Sequence, residues 1–178
     1  MDAVRLIRVS RYALAQSQAS REILTEAWQA QSLTQAIGGL LAMKGPPELR
    51  GEAQGLCEAG GRGSGSIDWP APCPGEPEPT GFPAGQPPDP GPRAAQLTEV
   101  QDARAALLDL GGLLGEVGIA LVGVACATDE DGFYWQTIEA IDAADESNDR
   151  VRGLLRRLTV WERSRLQVAT QDSAAGPS

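Results

Sequence analysis

Histidine is absent from the 178 residues, and lysine occurs once, at Lys44. Without His, neither a Ser-His-Asp triad nor a Cys-His nucleophile can be assembled. His-ligated zinc is excluded for the same reason, as is the Glu-x-x-His motif of di-iron bundles. Cysteine is sparse, at Cys57, Cys73 and Cys126. An odd count in a chain this long is no disulfide framework, and no CxxC occurs. The glycines of "GGRGSGS" (residues 60–66) have no strand before them and no GK[ST] after them, so they do not read as a phosphate loop. A net charge of −9 argues against a general polyanion binder, which needs clustered Lys and Arg. The opening "MDAVRLIRVSRYALAQ" lacks the uninterrupted apolar core of a secretory signal, so the cytoplasm is the expected compartment. These absences leave no catalytic residue and no cofactor to name.

What is present divides into zones. Residues 1–44 are helical in pattern. Val4, Ile7, Arg11 and Leu14 follow helical spacing, and Arg5, Arg8 and Arg11 form a basic strip. A second stripe runs Ile23, Ala27, Ala30, Leu33, Ile37 and Leu40, with Glu26 and Gln29 off it. Ser20 is the expected N-cap and Gly45 the expected stop, ahead of Pro46. Residues 16–20 carry neither Gly nor Pro, so one helix or two remains open there. Residues 45–93 hold 12 of the 13 prolines and many glycines. They read as a disordered, partly polyproline-II linker that cannot gather enough apolar surface to offset its ordering entropy. Cys57 and Cys73 would then be exposed thiols. Residues 94–168 return to helical pattern, and 169–178 read as a disordered tail.

Within the third zone, Val100, Ala103, Leu107, Leu110, Leu114, Val117, Leu121 and Val124 alternate spacings of three and four, a heptad seam. Asp102, Asp109 and Glu116 recur every seven and occupy one narrow strip, expected to face water. That strip argues against a membrane span, although Gly111-x-x-x-Gly115 matches a membrane dimerisation motif. Cys126 reads as an inert apolar residue at the end of a packed helix. Thr128 is the expected N-cap of the next helix, with Asp131 as its capping-box acid. Tyr134, Thr137, Ile141, Ala144, Asn148, Val151, Leu155 and Leu158 continue the three/four spacing. Trp28, Trp135, Trp161, Tyr12, Tyr134 and Phe133 read as core or interface aromatics.

Two surface features carry candidate chemistry. Asp142, Asp145, Glu146 and Asp149, at i, i+3, i+4 and i+7, share one helical face. They are a candidate oxygen-ligand site for Mg²⁺ or Ca²⁺, or a general acid/base pair, against the plainer reading of a solvated face with a Glu146–Arg150 pair. The same helix is electrically polarised. Residues 129–149 hold eight acids and no base, and residues 150–165 hold six arginines against Glu162. That order suits the helix macrodipole; on the sharper reading Arg150, Arg152, Arg156 and Arg157, with Trp161, form a candidate docking patch for an acidic partner or nucleic acid.

The segment "GIALVGVACATDEDGFYWQTIEAIDAADESNDRVRGLLRRL", together with "MDAVRLI…ALAQS…EAWQAQSLTQAIG", resembles an actinomycete family of small helical proteins, a domain of unknown function. The likeness covers both helical zones and not the linker. It implies a small bacterial helical protein and transfers no catalytic residue.

The sequence therefore predicts an all-α protein, an antiparallel four-helix bundle of two hairpins split by a long disordered Pro/Gly-rich insertion. The expected function is a non-enzymatic helical interaction or regulatory module that binds a protein partner or itself. A small-molecule or divalent-metal-binding bundle is the first alternative, and attachment to an anionic membrane surface through the Arg clusters the second. Nucleic acid is not the expected partner, and no transmembrane role is expected.

Overall fold

A computed structural model describes residues 1–66 and 92–174. The described residues are all-α, in five helices: α1 (Ala3–Gln16), α2 (Ser20–Lys44), α3 (Arg50–Ser66), α4 (Ala103–Ala127) and α5 (Asp131–Ala174). Short 3-10 turns, Pro47–Leu49 and Arg93–Gln96, lead into α3 and precede α4. Among the described residues there is no strand beyond a lone bridge between Asp2 and Glu99. The residues before α4 form a strap against the chain's start: the Met1 ammonium donates to Gln96 O at 2.6 Å and to Thr98 Oγ1 at 2.9 Å.

The open question at residues 16–20 resolves as two helices. Ser17 ends α1, its N–H and hydroxyl both donating to Ala13 O. At the start of α2 the work falls to Glu22 rather than Ser20. The Glu22 carboxylate accepts the backbone N–H groups of Gln18 (2.9 Å) and Ala19 (3.1 Å), which holds its pKa below the ordinary carboxylate value. Asp2 and Asp102 cap α1 and α4, accepting from Val4 N and Ala105 N. Thr128 closes α4 instead of opening α5, which begins at Asp131.

The largest departure from the sequence reading is α3, which lies inside the stretch assigned to the linker. Ala53, Leu56 and Ala59 are buried there. Cys57, expected as an exposed thiol, is half-buried against α2. The reason is close approach. A Cβ on Gly38 of α2 would stand 2.5 Å from Cys57 N, and one on Gly60 of α3 would stand 2.4 Å from Gln35 N. Glycine at these positions lets the two backbones touch, which outweighs its poor helix propensity. Residues 67–91, the remainder of the expected insertion with Cys73, lie outside the described residues.

α2 is the central helix, with α1, α3, α4 and α5 all packed on it. Its polar residues are therefore enclosed. Glu26 and Gln29, expected off the apolar stripe, are buried beneath the Arg93–Gln96 turn. The Arg93 guanidinium pairs with Glu26, and its backbone N–H donates to Gln29 Oε1 at 2.8 Å. Gln31 is buried and accepts from Ser147 Oγ of α5 at 2.8 Å, while its Nε2 has no partner among the described residues.

α4 and α5 form the expected hairpin, and the α4 seam from Leu107 to Val124 is buried as read. On α5 the buried seam is rotated by about one residue: Thr137, Ala140, Ala144, Ser147, Val151, Leu154 and Leu158. Ala140 and Ser147 are small enough to seat α5 on α2. Of the acidic strip, Asp102 is exposed as read, and Asp109 and Glu116 are half-buried, with the Glu116 side chain still 42% exposed. Glu116 pairs with Arg11 of α1, with Asp109 nearby, and this raises the Arg11 pKa. Cys126, expected at a packed helix end, is exposed. Trp28, Phe133 and Trp161 pack against the core, whereas Tyr12, Tyr134 and Trp135 are exposed. Helix α5 also runs on to Ala174, into the predicted tail.

By length and composition α4 could cross a membrane, yet 33% of its most apolar window is buried inside the protein. That share is the side facing the core.

Candidate functional site

Between α3 and α5 lies an open groove of about 560 Å³ lined by Glu52, Glu146, Asp149, Arg150, Gly153, Arg156, Arg157 and Val160. On α5 the spacing Glu146, Arg150, Gly153 and Arg157 places these residues on one face. A glycine stands on each wall. A Cβ on Gly55 of α3 would meet Arg150 Nη1 at 3.4 Å, and one on Gly153 would meet Glu52 Oε2 at 3.6 Å. These are ordinary van der Waals distances, so a charged side chain of the opposite helix lies directly over each glycine.

The charges are only loosely satisfied. Arg157 Nε lies 3.4 Å from Glu52 Oε1. Glu146 is shared between Arg62 of α3 and Arg150, the latter at 3.8 Å. Arg152 reaches Asp149 at 3.4 Å on the outer edge. Among the described residues Arg156 makes no ion pair or hydrogen bond. Five arginines thus stand around three carboxylates, a local positive surplus on a chain of net charge −9. The Arg150 and Arg157 side chains are 47% and 64% exposed. Pairs so exposed contribute ~0–1 kcal/mol each, so an incoming carboxylate can displace them at little cost.

Of the predicted docking residues, the structure brings Arg150, Arg156 and Arg157 together. Arg152 sits on the groove's shoulder. Trp161 is not in the groove; with Glu162, Arg165 and Leu166 it lines a separate recess, and Arg165 stacks 4.9 Å above its ring. The carboxylate set does not converge either. Asp142, Asp145 and Asp149 are exposed, and Glu146 is engaged by two arginines. Among the described residues no group of three or more Cys, Asp or Glu is placed to hold a metal ion. Sequence reasoning missed Glu52, Gly55 and Arg62, because α3 was hidden in glycine-rich text. The spacing Ala53, Leu56, Gly60, Gly63, with Ala59 beside it, was the available signal.

The DUF6099 family model, described as a family of unknown function, matches residues 1–157. The chain belongs to this family. The DUF6099 region takes in α1 to α4 and reaches Arg157, so it includes Glu52 and Arg150, Arg152, Arg156 and Arg157. It stops before Val160 and Trp161. The groove's charged walls are thus part of the DUF6099 region, and the Trp161 recess is not. Comparison with curated proteins and with solved structures finds no match.

Proposed function

We propose that the protein is a non-enzymatic interaction module whose α3–α5 groove receives an acidic segment of a protein partner. The observation that carries this reading is the arginine surplus around the groove, with Arg156 left without a counter-charge among the described residues. Carboxylates of the partner would take the place of the weak pairs made by Arg150 and Arg157, and Val160 offers an apolar contact at the groove's end. Arginine suits this role because its planar fork matches a carboxylate in two-point contact.

The test is a binding titration of the full chain with a short synthetic peptide rich in Glu and Leu, beside the same peptide with Gln for Glu. Binding of the acidic peptide alone, weakened at least tenfold by Arg156→Glu with Arg157→Glu, is the expected result. Equal binding of both peptides, or no effect of the double change, overturns it. So does retention on anionic vesicles without peptide binding, which would give the arginines to a lipid surface.

A further inference from the structure

One side of α4 is covered by none of the other described residues. Leu108, Gly112, Gly115, Ile119, Val122 and Cys126 follow each other at spacings of four, three, four, three and four, a second heptad strip. Leu108 is 57% exposed, Ile119 76% and Val122 50%. The strip runs between the edge where Glu116 meets Arg11 of α1 and the edge where Arg104 and Gly111 meet α5. It contains no charge. Its glycines also differ from those between α2 and α3. A Cβ on Gly115 would meet nothing within 4 Å, and one on Gly112 only the tip of Arg11, at 3.9 Å. Interior glycine weakens a helix. At Gly38 and Gly60 backbone contact within the chain offsets that weakness, but at Gly112 and Gly115 no contact among the described residues does.

We infer that this strip joins two copies of the chain, packed antiparallel about a two-fold axis at Gly115. Reversal about Gly115 sets Ile119 of one copy on Gly112 of the other, and Leu108 beside Val122. Symmetry makes each contact twice. The bare backbone at Gly115 allows the helices to cross closely.

Helix α5 supplies an independent argument, from charge. It runs antiparallel to α4, with Val151 beside Gly111 and Thr159 beside Arg104, so Gly115 is level with Ser147 and Asn148. The sign of α5 changes within a turn of that level. Asp142 and Asp145 lie before it, and Arg152 and Arg163 after it, all exposed. The same two-fold axis lays one α5 antiparallel along the other, acidic half beside basic half. Opposite charges thus complement each other in the antiparallel register. Helix α4 is ~37 Å long at ~1.5 Å per residue, and neighbouring helices lie ~8–10 Å to either side. The footprint is then roughly 700 Å² per copy, close to the ~800 Å² of a standard interface. This contact is on a different face from the groove and stands or falls separately.

Light scattering of the full chain across a concentration series should show mass rising from 18.7 kDa toward twice that value. Gly115→Leu should weaken self-association at least tenfold without lowering the melting temperature, because the monomer has room for the side chain. It should also leave acidic-peptide binding unchanged. With Cys57, Cys73 and Cys126 replaced by Ser, Gly115→Cys should form a covalent dimer on oxidation. The unaltered chain should not cross-link through Cys126, whose two-fold mate lies ~33 Å away along the helix. A monomer at every concentration, a Gly115→Leu chain that dimerises as the parent does, or a Cys126 cross-link would each overturn the inference. So would a monomer that floats with neutral-lipid vesicles, since the strip would then belong to a membrane.

Discussion

Replacing a helical glycine by alanine should change stability in opposite directions at Gly38 and Gly118, and the structure sets both signs. The change adds the same methyl group at each site. In an open helix interior it removes the glycine penalty and stabilises by ~0.5–1 kcal/mol. Gly118 is such a site, since a Cβ there meets nothing within 4 Å. At Gly38 the new Cβ would stand 2.5 Å from Cys57 N and 2.9 Å from Ala53 O and Cys57 Cα. These are backbone atoms and cannot swing aside. α2 and α3 must separate by roughly 1 Å, loosening the contacts that bury Ala53, Leu56 and Ala59, and overpacking of this kind costs ~1–3 kcal/mol or more. Net of the propensity gain, Gly38→Ala should destabilise by up to ~2.5 kcal/mol. For a chain of this size each kcal/mol moves Tm by ~2–4 °C. Tm should therefore fall by up to ~10 °C for Gly38→Ala and rise by ~1–4 °C for Gly118→Ala. Thermal and urea unfolding followed by circular dichroism at micromolar concentration measure both. Shifts of the same sign at the two positions would refute the claim that α2 and α3 touch through their backbones.

Two further outcomes follow from single contacts. Removing Arg93 leaves Glu26, whose side chain is 10% exposed, without its counter-charge. Because Arg93 itself keeps some solvent contact, Arg93→Ala should cost ~2–4 kcal/mol, and adding Glu26→Gln should restore part of it; a loss below ~1 kcal/mol contradicts the buried pair. Glu22 has a pKa lowered from 4.5 by the N–H groups of Gln18 and Ala19. Folding favours its ionised form, so its contribution is full above the unfolded value and lost as pH falls through the folded one. The melting-temperature advantage of the parent over Glu22→Gln should hold near neutral pH and shrink below about pH 4.5; a constant gap down to about pH 3 is the contrary result.

The apolar seam of α4 could be read directly from the sequence because its large side chains repeat without interruption. The α4–α5 hairpin followed from that seam and the short connection after it. Helix α3 could not be read the same way. Its buried positions are Ala and Gly as well as Leu56, so close packing is recorded there as missing side chains rather than as hydrophobic ones. The α5 seam was displaced for a related reason, since Ala140 and Ser147 face the core while Ile141 and Asn148 look like better candidates. The burial of Glu26 and Gln29 depends on Arg93, more than sixty residues away, a distance that helical periodicity does not span. The arginines of the groove were legible as a run of charge. Their opposite wall, Glu52 and Gly55, depended on α3 and was not.

The length of α5 has a hydrodynamic consequence. At ~1.5 Å per residue its 44 residues extend ~66 Å, against a radius of gyration of ~16 Å for a compact chain of this size. Arg104, near the start of α4, already lies beside Glu162, and α5 continues past that contact for roughly 18 Å. An extension of that size raises friction far more than mass. The protein should elute early from a sizing column and tumble anisotropically, with relaxation of α5 amides depending on their angle to the long axis. An apparent mass between one and two copies on a calibrated column is therefore what a lone chain would give.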